Sequence, residues 1–476
     1  MRMDFAMWAE LLSQRTNRSL AGAAIYLRKD LPEEELPAPS ALGAWGLHET
    51  GCPDEADFIY PELPDEAAED AAEAIDCAAS HMPVSLKLAE EIASAGTLKG
   101  IRIALSLIIE PKTAVLARRL RAAGTTLGIY CHAHECHQAV ADELKREGFL
   151  VEADTSWTPP EEKAGSLRLL DELKPQIVVD DGANISRLMV MERPELLRGF
   201  FGVSEETTSG VRAFEAMERA GEFPFPVIAV NDSALKTSFD NRHGTGETCI
   251  TAMLKLLGAH CFAEARAAVF GYGPVGQGFA ERIRALGAEV AIVERDPRAA
   301  LNALYGGFAV MPAAEALEEA DIVVSATGVR HTLTEDLLEH CHEGATVCVI
   351  GGIAQEIALA DICAAGGKMG PGDVAELVLP SGKRLCLLAQ GNGVNYTAGP
   401  GNPIEIMDLS FAVQLAAVEH LAKAEGSLPH GVLRLPEEVD RRLAAIALAV
   451  HGVHIDEAEG PLVRDWRKTR YSEEDA

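Results

Sequence analysis

The chain has 476 residues, enough for roughly three units that each bury a core of their own, so a multidomain globular protein is expected. Its formal net charge of −31 excludes a nucleic-acid groove, because phosphate contacts need clustered Lys and Arg. No apolar run reaches the ~18 residues of a membrane span and residues 1–10 lack a signal-peptide pattern, which reads as a cytoplasmic protein with no membrane partner.

Residues 1–66 read as an N-terminal extension: a possible helix at 4–15, then acidic, proline-bearing stretches to which no activity is assigned. A second unit spans 67–245 and is completed by 403–440. It opens with an Ala/Glu helix ending near His81 and a second helix to Ala95. Short apolar strands are expected at 101–109, 126–131, 149–153, 177–180 and 227–230, with helical segments between them. That alternation implies a parallel sheet covered on both faces, whose functional groups belong at the carboxyl ends of the strands. Asp181 stands at such an end, in an Asp-Asp-Gly sequence that also suits a plain turn. The ten cysteines are scattered and read as reduced thiols.

Residues 203–249 hold an unusual density of small polar groups. Glu206, Thr207, Thr208 and Ser209 form one cluster, Lys236 and Asp240 another, and Asn241 adds a carboxamide. Lys236 and Asp240 are four apart, so on a helix they share one face. A carboxylate and a lysine can orient a sugar diol, and a lysine whose pKa is lowered by burial can remove a hydroxyl proton. The same residues also suit a helix cap and a solvated surface pair.

The third unit, 246–402, carries the most specific signal. Strand 267–270 runs into Gly271-Tyr272-Gly273-Pro274-Val275-Gly276, then a helix to about 286, then strand 289–293 ended by Glu294. A glycine turn between strand and helix, with an acidic residue closing the next strand, is the fingerprint of a dinucleotide site. Gly271 permits the turn, Gly273 lets backbone approach a pyrophosphate, and Gly276 lets helix and strand pack closely. Glu294 would hold the ribose diol, which favours NAD over NADP. Further strands are expected at 308–311, 321–325 and 346–350, followed by glycine-rich junctions at 391–395 and 399–403. A helix at 407–424 and a C-terminal tail at 441–476, serving oligomerisation or the cofactor, finish the chain. The expected fold is α/β, with two doubly wound Rossmann-like domains.

From about residue 70 onward the chain resembles the NAD-dependent adenosylhomocysteinases. The resemblance rests on D-D-G, S-E-E-T-T-S-G-V, V-N-D-S-x-x-K-x-x-F-D-N, G-Y-G-x-V-G-x-G, V-E-x-D-P and, less closely, L-S-F-A-V-Q. It implies tightly held NAD in a homotetramer or homodimer, and a small nucleoside substrate. It also implies a cycle in which the ribose 3′-hydroxyl is oxidised, the 5′ substituent eliminated, water added and the ketone reduced again; the ketone acidifies the C4′ hydrogen, so a poor leaving group can depart. Lys236 and Asp240 would then handle the 3′-hydroxyl, Glu206 the 2′-hydroxyl and Asp181 the C4′/C5′ region. Thr207, Thr208, Ser209, Asn241, Glu294 and Asn395 would hold NAD.

The departures are selective. Where the family has C-L-H-M-T-x-E-T, this chain places Ile108, Glu110 and Lys112 at the histidine, threonine and glutamate, which are base-recognition and leaving-group positions. Ile350-Gly351-Gly352 and Gly401-Asn402-Pro403 also lack histidines that the family has. Thr245 stands in place of a cysteine, and Ala299 in place of an NAD-contacting asparagine. His132 and His134, in a Cys131–His137 run whose spacing is too tight for a usual metal site, are candidates to replace the lost histidines as acid or base. The expectation is an active enzyme that eliminates the 5′ substituent of a nucleoside-type sugar, as a lyase, dehydratase or hydrolase. The alternatives are a true adenosylhomocysteinase and a non-catalytic NAD- or nucleoside-sensing subunit.

Overall fold

The structure, a computed structural model, describes residues 3–64, 68, 70–351 and 355–456. Gly352 and the charged tail expected at 464–472 lie outside the described residues. The fold is α/β with two large Rossmann-like sheets.

The first sheet orders its strands Gly431–Leu433, Pro226–Ala229, Gly202–Glu205, Ile177–Asp180, Arg102–Ser106, Thr126–Tyr130 and Leu150–Glu152, all parallel. The chain enters at Arg102–Ser106, runs outward to one edge, then returns to the other side through Ile177–Asp180. Strand order therefore reverses between Ser106 and Asp180, which pair directly. A crevice opens at such a reversal, outside the carboxyl ends of the strands. The second sheet repeats the plan around Arg266–Phe270, its reversal lying beside Ile322–Ser325. Its far edge turns antiparallel at Lys368–Met369, Val374–Val378 and Arg384–Leu388.

Two segments tie the halves together. Residues 234–257 run as one continuous helical rod, whose middle, Thr237–Thr245, is π-helical. The second is the helix Ile404–Ala424, which buries most of its circumference against the first sheet. An apolar helix buried all round must satisfy each polar group it carries. Asp408 does so by accepting the amides of Val84 (2.7 Å) and Ser85 (2.8 Å), capping the helix Pro83–Ala95 that has no side-chain cap of its own.

Strand 101–109 is shorter than the sequence suggests: it stops at Ser106 because Pro111 opens a helix with Glu110 as its N-cap. Ile108 and Glu110 therefore lie on a turn. The N-terminal extension is more than an acidic tail. Ala24–Leu27, His48–Glu49 and Phe58–Tyr60 form a small parallel sheet. Its Trp8, Leu12, Trp45 and Tyr60 are buried in one cluster with Cys249, Ile250, Met253 and Phe279 of the second half. Each apolar side chain buried in this way contributes about 1.5–3 kcal/mol.

Candidate active site

One cavity of about 910 Å³ lies between the carboxyl ends of the two large sheets. From the first half it is lined by Ile108, Glu110, His132, His134, Glu135, Asp181 and the 206–209 segment. From the second it is lined by 273–275, Ala326–Gly328 and Ile350, and from the connecting segments by Lys236, Asp240, Asn241, Asn395 and Asn402. Arg212 reaches across the mouth and donates to the Gly328 carbonyl (3.0 Å).

Lys236 sits at the centre, almost fully buried. Its Nζ donates to Asn241 Oδ1 (2.9 Å) and stands 3.4 Å from Asp240 Oδ2 and 3.8 Å from Glu206 Oε1. The wide π-helical turn explains why residues four and five positions along both reach it. Asp240 accepts from Asn402 Nδ2 (2.6 Å) and Ser410 Oγ (2.7 Å), two donors that fix where its carboxyl points. Ser204 donates to the Gln414 amide oxygen, and that amide in turn donates to Glu206, fixing which way Gln414 points.

Burial works to lower the Lys236 pKa, but Asp240, Glu206 and Asp181 together outweigh it and hold the pKa above its ordinary value. This corrects the expectation of a lysine whose pKa is lowered by burial: three carboxyl groups share its pocket. Burial also pushes Glu206 up to about 8, against the pull of Lys236. At neutral pH Lys236 is thus a cation and Glu206 holds its proton.

The two aspartates after strand Ile177–Asp180 divide their work. Asp180 points into the fold, accepting from Ser186 N (2.9 Å) and Asp181 N (3.1 Å). Asp181 lines the cavity, and burial raises it to about 6 even though Lys236 draws it down. Glu205, which sequence reasoning passed over, binds this loop to the next by accepting from Gly182 N (3.0 Å), Ala183 N (3.0 Å) and Thr207 Oγ1 (2.8 Å). Thr207 is the N-cap of helix Thr208–Ala220 and meets Ser209 Oγ at 3.1 Å, so it belongs to a cap as well as to the cavity wall.

Asn402 is a hub. Besides Asp240 it donates to Thr245 Oγ1 (3.1 Å) and accepts from Asn395 Nδ2 (3.1 Å) and Thr248 Oγ1 (3.3 Å). In the sequence only its departure from the resembled G-H-P-S motif, at Gly401-Asn402-Pro403-Ile404, pointed toward it. Glu110 adds a carboxyl to the cavity and pairs with buried Lys112 at 2.6 Å. Burial raises that carboxyl despite Lys112.

The glycine turn fits NAD. Gly271 has φ +94°, a conformation that favours glycine, and a Cβ at Gly276 would fall 2.1 Å from the Gly271 carbonyl oxygen. A Cβ at Gly273 would meet nothing within 4 Å, which leaves room above the helix N-terminus. Glu294 is held at its strand end by the amides of Tyr272 (2.7 Å), Arg295 (2.6 Å) and Asp296 (3.0 Å).

His132 and His134 are brought to the cavity. His132 Nδ1 faces Tyr130 Oη (3.2 Å) and Glu162 Oε2 (3.4 Å), while His134 is exposed. Among the described residues no group of three His, Cys, Asp or Glu is arranged to hold a metal.

Residues 244–401 match the family model "S-adenosyl-L-homocysteine hydrolase, NAD binding domain". The chain is 38% identical over 399 residues to the S-inosyl-L-homocysteine hydrolase of Methanopyrus kandleri, covering 83% of this chain and 93% of that protein. It belongs to the S-adenosyl-L-homocysteine hydrolase family. The adenosylhomocysteinases of Thermotoga maritima (37% identical, 80% of this chain, 95% of theirs) and Archaeoglobus fulgidus (37%, 83% and 98%) are similar to the same extent. Like the family, this chain uses NAD.

Proposed function

We propose that this family member transiently oxidises the 3′-hydroxyl of a nucleoside-type substrate and eliminates its 5′ substituent, acting as a lyase, dehydratase or hydrolase on a substrate other than the usual one. The observation that carries this is the Lys236 ammonium, held by Asp240, Glu206 and Asn241 in the cavity that the glycine turn also enters. The chemistry NAD supplies there when bound is uptake of a hydride from the sugar and its later return.

Lys236 stabilises the negative charge that develops on the 3′-oxygen, and passes a proton to Asp240 while receiving the hydroxyl's. Protonated Glu206 can donate to the 2′-oxygen, with Gln414 holding the other face of its carboxyl. Asn402 and Ser410 fix Asp240. Asn241, Asn395, Thr207, Thr208 and Ser209 line the approach to the dinucleotide, with Gly271, Gly273, Gly276 and Glu294 holding it. Ile108, Glu110 and Lys112 support a changed substrate, because an apolar group and an ion pair present different hydrogen-bonding edges from a histidine, a threonine and a glutamate. We place the enzyme in the cytoplasm as a homo-oligomer.

A second reading, hydrolysis of S-adenosyl-L-homocysteine itself, is favoured by the identity to proteins of that name. Purified holoenzyme given S-adenosyl-L-homocysteine, S-inosyl-L-homocysteine and other 5′-substituted nucleosides decides between them. Release of the 5′ group from the latter nucleosides, with poor turnover of the first, supports the altered substrate. Efficient release of homocysteine from the first supports the second reading, and no release from any nucleoside overturns both.

A further inference from the structure

Glu135 lies on the short turn Ala133–Glu135, just beyond the end of strand Thr126–Tyr130, with its carboxyl on the cavity wall. Its backbone is fixed: the amide donates to His132 O (3.1 Å), and the carbonyl accepts from Ile109 N (3.2 Å). The side chain is partly buried on the cavity wall and makes no hydrogen bond to any described residue. A carboxyl left without a hydrogen-bond partner there is open to a group of the substrate. The charged and titratable groups around it are Asp181 from the end of strand Ile177–Asp180, two places along the sheet, Tyr130 and Cys131 at the end of its own strand, His132 on its own loop, Glu162 from helix Pro159–Leu173, and the Tyr396 phenol from the far wall. His132 and His134 line the same cavity, with His132 Nδ1 turned toward Tyr130 and Glu162 and His134 exposed.

We infer that Glu135 is a catalytic acid and base of this site, protonating the group that leaves C5′ and accepting a proton from the water that replaces it. The inference rests on the oxidation and elimination proposed above. At the ketone stage the Asp181 carboxylate takes the C4′ proton, the C4′–C5′ double bond forms and the C5′–S bond breaks. The sulfur departs with the electron pair and takes the Glu135 proton, leaving a thiol and a Glu135 carboxylate. In the return step water gives a proton to Glu135, its oxygen bonds to C5′, and Asp181 returns the proton to C4′. Burial and the repulsion of Asp181 raise Glu135 to about 7 and burial raises Asp181 to about 6, so both carboxyl groups exchange protons close to neutrality.

The test compares E135Q, E135D and D181N holoenzymes in deuterated water, using whichever 5′-thioether nucleoside the wild type turns over. E135Q keeps C4′ exchange within about threefold but releases thiol about a hundredfold more slowly, the usual worth of a general acid. E135D restores part of the release. Wild-type release falls as pH rises through about 7, and E135Q loses that limb. A 5′-arylthio nucleoside, whose thiolate leaves without protonation, brings E135Q back near wild type, while D181N loses exchange with either substrate. Equal loss of exchange and release in E135Q, or wild-type release from it, overturns the role of Glu135. A wild type that exchanges no C4′ hydrogen in any nucleoside overturns the proposed function, and this inference with it.

Discussion

The two ends of the cavity are built on opposite principles. Around Lys236 every functional side chain has partners: Asn241 on the ammonium, Asn402 and Ser410 on Asp240, Gln414 on Glu206. Around Asp181 and Glu135 there are crowded carboxyl groups, raised by burial, and one of them has no hydrogen bond among the described residues. In the proposed reaction hydride transfer needs a sugar carbon held in one geometry, a task that suits the end whose side chains are already tied to partners. Departure of a 5′ group needs a proton moved at the right moment, and groups poised near neutrality suit that task. The difference separates orientation from proton traffic within one pocket.

Removing the cation at the ordered end has the largest expected effect. Lys236→Met leaves the carboxyl groups of Asp240, Glu206 and Asp181 without their cation; hydride uptake from nucleoside, read as reduced-nicotinamide absorbance, is expected to fall by about a thousandfold. Gly276→Ala drives a Cβ into the Gly271 carbonyl, and the purified variant is expected to lose its bound NAD, measured by release on acid precipitation. Asn402→Ala breaks the hub shared by Asp240, Thr245 and Asn395; about 1–3 kcal/mol of stability is expected to be lost in urea unfolding.

Glu206 offers a comparison by pH. Its folded pKa of about 8 lies above the ordinary carboxyl value, so the folded state binds its proton more tightly, and unfolding releases it between about pH 4.5 and 8. Stability from this group is complete below that window and is lost as pH rises through it. Glu206→Gln should therefore gain on wild type between pH 5 and 8 by more than about 1.4 kcal/mol, the worth of one pKa unit. A constant gap would break the account of a protonated Glu206. The smallest effect belongs to the N-terminal extension. Arg18 pairs with Glu405, which also accepts from Ser19 N (2.9 Å), and Arg18→Ala should cost about 1 kcal/mol or less in thermal unfolding.

How much of this was legible in the sequence depended on whether local pattern or long-range partners set each feature. The turn at Gly271–Gly276 and strands such as Ile177–Asp180 were readable because backbone geometry and continuous apolar burial dictate them locally. Gly202–Glu205 was not read as a strand, since its Ser and Glu are buried by partners far along the chain, Gln414 and the Gly182 loop. The N-terminal sheet was hidden because its strands are short and draw their core from Cys249–Phe279. Lys236 stood out by its spacing from Asp240, but its electrostatics depend on Asp181 and Glu206, which only folding brings to it. Ser410, Gln414, Asn402 and Glu135 reach the cavity cluster only through the fold, and no spacing rule marks them.

The most direct measurement mixes holoenzyme rapidly with a 5′-substituted nucleoside and, separately, with its 3′-deoxy analogue, following reduced-nicotinamide absorbance. The account predicts a rapid rise with the hydroxyl-bearing compound and none with the analogue. Release of the 5′ group without any rise, or the same rise with both compounds, would contradict it.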